Sequence, residues 1–422
     1  MKVAILTPFQ DFNEGYSLAG IVKDQITMLQ RYDNEVTLFT SERFNRKGFD
    51  LEVEVRELIP FAHLIDYQSA NDLTREHTAV KDKTRDILIK ELQGFDIVFE
   101  HDMNFQGWHL PYGQAIIEAS EQLHNTIFLH WVHSIPSGLK DFWNVRAWGS
   151  NHRLVFPNKH DAIVVAEQYR GGLENVVVIP HIKDMRTFFD FCPETCEFID
   201  EYPAVMQADI VQILPASTDK LSSKKLAEVV RIFANLKKMF KSVCLVVANQ
   251  FATTKQPKQS LKPYIALAKE LGLEPGKDFI FTSKFKEPAY EYGISKRMVR
   301  ELFLLSNLFV FPTWCESFGL VVPEASLAGG VLLCLNKSLQ MQMEISGFTC
   351  QYFDFGSYTH NFAPANPDQY FHDVAQIIKG RILQNEAIAS KAYMRQRYNF
   401  DHLYINYYEP TMKDLSPKTL AA

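Results

Sequence analysis

Two glutamates eight positions apart stand out among the residues that could do chemistry. Glu316 follows an apolar run, 308–311, that predicts a strand, and Glu324 follows Pro323, which is tolerated in the first turn of a helix. Gly319 would let a ligand approach the backbone, and free N–H groups at a helix start attract an anion such as a diphosphate. Carboxylates do not favour phosphate, so we expect the two glutamates to accept hydrogen bonds from hydroxyls. The pattern predicts a nucleotide-sugar site, with hydroxyls on either side of a diphosphate.

The stretch 306–330 resembles the retaining GT-B glycosyltransferases, especially the large family-4 type, whose signature is two glutamates separated by seven residues. The phrase Pro-Thr-x-x-Glu-Ser-Phe-Gly-Leu followed by Glu-Ala matches along its length. The loop 14–20, the strand 35–38 and the phrase 178–181 extend the resemblance over nearly the whole chain. It implies transfer of a hexosyl or pentosyl group from a nucleotide-diphosphate sugar to an acceptor hydroxyl, with retention of anomeric configuration.

The resemblance also implies roles for individual residues. Glu324 would bind the ribose hydroxyls, and Glu316 would touch the donor sugar as a catalytic residue. Backbone N–H groups of the loop between them would bind sugar or phosphate. The resemblance implies donor binding by five residues of this loop and of the loop 14–20: Gly15, Gly20, Phe318, Gly319 and Leu320.

A second charged stretch follows the predicted strand 209–214. The resemblance implies an Arg and a Lys here that neutralise the diphosphate leaving group, but residues 215–225 contain no Arg. Lys220 with Lys225 keeps the usual five-residue interval, whereas Lys224 could equally be the second cation, so both stay open. A lysine supplies a point charge without the bidentate fork of Arg, which still suits phosphate.

Histidines mark the ends of two predicted strands in the first half of the chain. His133, in His-Ser-Ile-Pro, matches the family's donor-side histidine better than His130, which falls within or at the end of its apolar run. A neutral imidazole could bond a sugar hydroxyl there. His101 and Asp102 could shape an acceptor pocket.

Alternating strands and helices predict an α/β protein of GT-B architecture, with two doubly wound, Rossmann-like domains and a cleft between them where ligands bind. We expect residues 1–190 to form the acceptor-side domain, 191–207 a linker and 208–385 the nucleotide-sugar domain. Residues 386–422 are expected to be helical and to pack back on the first domain. The apolar runs taken as strands are 2–7, 35–40, 97–99, 126–129, 154–156, 162–165, 176–179, 209–214, 242–248, 279–282 and 308–311, and the predicted helices include 17–31, 224–238, 261–271 and 298–305.

Composition narrows the class of protein. No run reaches the roughly 18 apolar residues that a membrane span needs, so we expect a soluble, cytoplasmic chain with no transmembrane segment. Six cysteines in 422 residues are too few for a disulfide scaffold. Cys192 and Cys196 form the one close pair, and with no second ligand pair we expect no metal site. We expect no required cofactor besides the donor substrate, a UDP- or GDP-sugar.

Other readings keep the fold and change the chemistry or the acceptor. A nucleotide-sugar epimerase would need an acid and a base near the sugar C2, a set that we do not identify. A phage-type enzyme acting on a hydroxylated base in duplex DNA would need a basic cleft, whereas residues 1–190 hold 19 basic and 27 acidic side chains. A sugar-nucleotide binder without turnover is a further reading, and the acceptor stays open among small molecules, glycans and modified DNA. The aromatic and basic residues that could line a DNA cleft are Trp108, Trp131, Trp143, Arg146, Trp148 and Arg153.

Overall fold

The chain forms two compact units. A computed structural model describes residues 1–13, 15–61, 72–101, 103, 110–133, 148–251 and 257–415. Contacts divide the chain into Met1–Asp184 with Tyr398–Ala422, and Met185–Arg397. Each unit combines parallel β-strands with helices, which confirms the predicted α/β class.

In its described residues the first unit contains a seven-stranded sheet in the order β3-β2-β1-β4-β5-β6-β7. Every neighbouring pair is parallel, so the carboxyl ends of all strands meet at one edge. The reversal of order beside β1 is typical of doubly wound sheets. The strands are β1 Lys2–Leu6, β2 Glu35–Ser41, β3 Glu54–Ile59, β4 Ile97–His101, β5 Ile127–Trp131, β6 His152–Phe156 and β7 Val176–Val178.

Both faces of this sheet are covered, which explains the nearly continuous apolar runs of its central strands. On one face α1 packs its stripe of Leu18, Val22 and Ile26 into the core. On the other face α2 and α3 contribute Leu88 and Ile116. The helices of this part of the chain are α1 Ser17–Arg31, α2 Arg75–Glu91, α3 Leu110–Ser120 and α4 Ala162–Gln168.

The second unit has two three-stranded parallel sheets, β10-β9-β8 and β11-β12-β13. Side chains join β8 to β11: the buried Gln212 amide donates to Val310 O (2.9 Å) and accepts from Val310 N (2.8 Å), and Asn307 Oδ1 accepts from Val211 N (2.8 Å). These bonds align the two sheets in the doubly wound order 3-2-1-4-5-6. The strands are β8 Ile210–Pro215, β9 Val243–Ala248, β10 Phe279–Phe281, β11 Leu308–Phe311, β12 Leu332–Asn336 and β13 Gln351–Phe353. The helices are α5 Met185–Phe188, α6 Pro193–Glu201, α7 Ala204–Gln207, α8 Leu226–Lys237, α9 Pro257–Glu270, α10 Lys296–Leu305, α11 Val321–Leu327, α12 Gln340–Ser346, α13 Pro367–Gln384 and α14 Glu386–Arg397.

The last described segment belongs to the first unit from Tyr398 onward, whereas residues 386–397, which were also expected there, belong to the second unit. Asn399 caps it, its side chain accepting from His402 N at 2.8 Å. Phe400, Leu403 and Tyr408 then pack on the same sheet face as α1. The segment comprises α15 Phe400–Leu403, a π-helical turn Tyr404–Tyr408 and α16 Glu409–Asp414.

The structure also differs from the sequence expectations at residues 162–165 and 191–207. Residues 162–165 are helical in α4, so their reading as a strand is wrong; Ala162 and Val165 are buried while Ile163 and Val164 are exposed, which is helical spacing. Most of the stretch 191–207, expected as a linker, folds into α6 and α7, and Pro193 occupies a first helical turn.

A buried arginine fixes that stretch within the second unit. The guanidinium of Arg395, in α14, donates to the carbonyls of Val205 (2.9 Å), Met206 (2.6 Å) and Ala208 (2.6 Å). Burial lowers the pKa of Arg395 to about 10. The contact division therefore falls earlier in the chain, between Asp184 and Met185.

Candidate functional site

Two loops of the second unit meet beyond the carboxyl ends of β8 and β11. Ser223 O accepts hydrogen bonds from Trp314 N (2.8 Å) and from Thr313 Oγ1 (3.3 Å). Because side-chain hydrogen bonds hold β8 beside β11, the loops that follow these strands lie side by side. The lysine-rich loop and the glutamate loop, distant in sequence, therefore share one site.

Lys224 and Glu316 form an ion pair at the meeting point of these loops. Lys224 Nζ donates to Glu316 Oε2, and the ammonium also lies 5.1 Å from the centroid of the Phe311 ring. The two side chains are only 14% and 20% exposed, so the pair is partly shielded from screening by water. Glu316 Oε1 accepts from Ser317 N at 3.2 Å. The carboxylate is thus held by its neighbour in the loop and by a cation from the other loop.

The neighbouring lysines are placed differently. Lys225 begins α8 with a left-handed backbone (φ 53°), and its ammonium lies 3.3 Å from Glu228 Oε1. Lys220 ends a 3₁₀ turn and is exposed, while its carbonyl accepts from Ser223 Oγ (3.0 Å) and Lys224 N (2.9 Å). Of the two candidates left open by the sequence, Lys224 is the one beside Glu316.

Gly319 makes room for this pair. Its φ is +77°, a conformation that L side chains rarely adopt. A Cβ at this position would lie 3.2 Å from Glu316 Cγ and 3.6 Å from Phe311 Cε1. The flanking Phe318 and Leu320 are 50% and 67% exposed. Glycine is therefore needed both for the turn and for the position of Glu316.

Glu324 lies on the exposed side of α11. Its backbone N donates to Leu320 O at 3.2 Å. Within the described part of the chain, its carboxylate makes no side-chain hydrogen bond or ion pair, in contrast to that of Glu316. It is available to accept from hydroxyls without first breaking an internal contact.

A line of hydrogen bonds in the first unit ends at His133. Tyr408 Oη accepts from Gln25 Nε2 (2.9 Å), Gln25 Oε1 lies 2.8 Å from His101 Nε2, and His101 Nδ1 lies 3.1 Å from His133 Nε2. The ring of His181 stacks on that of His133 with centroids 5.5 Å apart. Burial, with a further contribution from His181, lowers the pKa of His133 to about 3. Burial likewise holds the pKa of His101 well below its ordinary value.

The opposite face of the same strands carries a second buried line. His130 lies between Glu100 (3.1 Å) and His152 (2.9 Å), and His152 Nε2 lies 2.9 Å from Ser120 Oγ. Burial lowers the pKa of His130 to about 3. All four side chains are at most 3% exposed, so these hydrogen bonds satisfy polar groups buried in the core.

The remaining candidates of the first unit differ in their surroundings. His101 is fully buried with both ring nitrogens at hydrogen-bond distance from protein groups, so it reaches a ligand only through His133. Gly15 N donates to Asn13 Oδ1 (2.8 Å), and Gly20 lies in α1 with open space where a Cβ would stand. Asp102 lies outside the described residues.

The DNA-cleft candidates that the structure describes are involved in packing. Trp131 is buried, and the ring of Trp148 packs edge-on against His130 and His152. Arg153 donates to Ser150 O and to the carbonyl of His152. Trp108, Trp143 and Arg146 lie outside the described residues.

Metal ligands and membrane-spanning helices are the subject of two negative findings for the described ranges. Across them, no group of three or more His, Cys, Asp and Glu side chains is placed to hold a metal ion. Cys192 Sγ is within 3.2 Å of both Thr195 Oγ1 and Glu301 Oε2, whereas Cys196 Sγ is directed at Phe191 O. Helices in these ranges are too short or too polar to cross a membrane.

Sequence reasoning missed Gln25, Tyr408 and His181. Gln25 lies in the apolar stripe of α1, where a fully buried polar residue signals a hydrogen-bonding partner. Tyr408 lies 383 positions from Gln25, so no local pattern could have paired them. His181 was part of a matched phrase, but its stacking on His133 depends on the return of the chain after β7.

The fold and site thus define a protein of two doubly wound α/β units, with a Lys–Glu ion pair at the strand ends of the second. No protein-family model and no curated protein matches the chain. Among solved structures it is similar to a glycosyltransferase from Rickettsia africae ESF-5, with 14% identity, coverage of 98% of each chain and a TM-score of 0.39. It is also similar to Anabaena HepE in complex with UDP-glucose, with 15% identity, coverage of 100% and 99%, and a TM-score of 0.33. For sucrose-phosphate synthase from Thermosynechococcus elongatus the identity is 14%, the coverage 100% and 99%, and the TM-score 0.34. At these levels of likeness, function has to be argued from the residues of the site.

Proposed function

We propose that the protein is a retaining GT-B glycosyltransferase of the family-4 type, which moves a sugar from a nucleotide-diphosphate sugar to an acceptor hydroxyl. The observation that carries the proposal is the pairing of Lys224 with Glu316 beside Gly319. These residues come from the two stretches that resemble the family, and they lie where parallel α/β sheets bind ligands.

The pair is suited to hold a diphosphate and a sugar at the same time. An ammonium group has three donors, so Lys224 can keep one on Glu316 and turn the others to phosphate oxygens. The carboxylate of Glu316 retains lone pairs for a sugar hydroxyl. Glu324, one turn into α11 and without a side-chain partner in the described chain, accepts from the ribose hydroxyls, and Phe318, Gly319 and Leu320 offer backbone N–H groups.

In the proposed reaction the bond between the anomeric carbon and the diphosphate oxygen breaks, and its electron pair leaves with the diphosphate. The acceptor oxygen bonds to the same carbon on the same face, and its proton passes to an oxygen of the leaving phosphate. Lys224 and Lys220 neutralise the charge that develops, so catalysis is mainly positioning and electrostatics. The proposal needs no cofactor besides a UDP- or GDP-sugar.

The test is a screen of UDP-, GDP- and ADP-sugars for thermal stabilisation and slow hydrolysis, followed by mass-shift assays on acceptors that include glycans and hydroxymethylated duplex DNA. We expect one nucleotide class to stabilise the protein and its sugar to be transferred. Thermal stabilisation without release of the nucleoside diphosphate would indicate that the protein binds sugar nucleotides without turning them over. An altered sugar still attached to its nucleotide would indicate an epimerase.

A further inference from the structure

The hydrogen bonds from Tyr408 to His133 are directional, and their direction determines which nitrogen of His133 carries its proton. Gln25 donates through Nε2 to Tyr408, so its Oε1 is the acceptor facing His101. His101 must then carry its proton on Nε2. Because burial keeps this ring neutral, its Nδ1 is bare and accepts from Nε2 of His133.

This order leaves Nδ1 of His133 as a bare acceptor. The atom is buried and has no hydrogen-bond partner among the described residues, and the same is true of Nδ1 of His181, whose ring stacks on His133. The reverse order would place an N–H on that nitrogen and bury a donor without an acceptor, which is rarely tolerated. An unused acceptor at the end of an ordered line is suited to a ligand that donates, such as a hydroxyl.

We propose that Gln25 and Tyr408 are positioning residues that hold His133 as its Nε2–H tautomer, with Nδ1 directed to a hydroxyl of the bound substrate. The identity of that hydroxyl rests on the proposed function, whereas the tautomer does not. Gln25 lies in α1 and Tyr408 in the C-terminal segment. These two elements thereby set the tautomer of His133, which follows β5.

Nitrogen-15 NMR of histidine-labelled full-length protein without substrate tests the proposal directly. The His133 ring, identified by the signals lost in His133→Gln, is expected to show an unprotonated Nδ1 and a protonated Nε2 at pH 7.5. Gln25→Met has nearly the same volume but removes both the donor and the acceptor, so we expect a mixture of tautomers. Tyr408→Phe, a smaller change, should shift the ring in the same direction. A protonated Nδ1 in the wild type, or an unchanged His133 in a folded Gln25→Met or Tyr408→Phe protein, would overturn the proposal.

Kinetics then connect the tautomer to turnover. Gln25→Met should lower kcat by at least about tenfold with little change in the donor KM, since hydrogen bonding in the transition state is what is lost. His130→Gln, on the opposite face of the sheet, should leave the His133 signals unchanged. If His133 has the expected tautomer but no nucleotide sugar is turned over, the proposed function is rejected while the positioning role of Gln25 and Tyr408 stands. If nucleotide sugars are turned over but His133 has the opposite tautomer, the positioning role is rejected while the proposed function stands.

Discussion

Lys224 and Glu316 are 92 positions apart in the sequence, and their charged groups are in contact in the folded second unit. The contact exists because β8 and β11 are neighbours, joined by the amide of Gln212. In an open parallel sheet this is the point where strand order reverses and where ligands bind. The pair connects a residue proposed to hold phosphate with one proposed to hold sugar.

The adjacent lysines should differ in their effect on turnover. Lys224→Ala should lower kcat about a hundredfold to a thousandfold with a smaller change in KM, because its charge is needed most when the diphosphate leaves. Lys225→Ala is the matched control: its ammonium lies beside Glu228, and activity should stay within a few-fold of wild type. Steady-state kinetics of both variants check this, and equal effects would show that the diphosphate is held by other groups.

The two glutamates should separate binding from turnover. Glu324→Ala should weaken nucleoside diphosphate binding about ten- to a hundredfold, because it removes the acceptor for the ribose hydroxyls. Glu316→Gln should bind the nucleoside diphosphate almost as the wild type does, yet turn over slowly. Titration calorimetry measures both affinities.

The matched control for the glutamates is Glu270→Ala, which removes another exposed helix carboxylate of the second unit and should change neither quantity. A folded Glu324→Ala protein with unchanged affinity, or an equal loss in the Glu316 variant, would contradict the assignment.

Gly319→Ala should impair activity more than stability. The left-handed backbone makes any alanine there costly by about 1 kcal/mol, and the added Cβ also crowds Glu316. Gly272→Ala imposes the same kind of strain (φ +83°) in open space. Both variants should lose similar unfolding free energy in urea, but only Gly319→Ala should lose kcat. Matching kcat values would argue against a role for the position of Glu316.

The buried histidines should make the protein less stable as pH falls. The folded pKa of His130 is about 3, whereas in the unfolded chain the ring should titrate near 6.5. Between these values the unfolded state binds a proton that the folded state does not, so unfolding free energy decreases with decreasing pH. His101, His133, His152 and His181 act in the same direction because burial lowers each pKa.

Urea unfolding at pH 7.5 and pH 5.5 measures this effect for one ring. The loss of unfolding free energy over this interval should be smaller in His130→Gln than in the wild type by about 1.4 kcal/mol, the linkage term for one proton. His124→Gln, which removes an exposed ring, is the matched control. The same loss in all three proteins would mean that His130 is not held neutral.

Most of the fold could be predicted because its central strands are buried on both faces and its helices are amphipathic. Residues 17–31 and 308–311 fold with the predicted bounds. Strand β3 was missed because it lies at the edge of the sheet and carries Glu54, Arg56 and Glu57 among its apolar residues. The helix α4 was misread because a short apolar run has no resolvable period.

The candidate site was predictable in its residue types and not in its pairings. The spacing of Glu316 and Glu324 is local and readable in the sequence. The choice between Lys224 and Lys225 depends on a left-handed turn at Lys225, a conformation that a lysine does not signal. The line through Gln25 and Tyr408 depends on the return of the C-terminal segment to the first unit, which is a long-range property of the chain.

Retaining glycosyl transfer is tested most directly by proton NMR of the wild-type protein with an α-linked UDP- or GDP-sugar, followed as the donor is consumed. We expect equal amounts of nucleoside diphosphate and of a sugar product that first appears as the α anomer, with both signals lost in Lys224→Ala. A β anomer as the first product would contradict retention. No release of nucleoside diphosphate from any donor or acceptor tested would contradict glycosyl transfer itself.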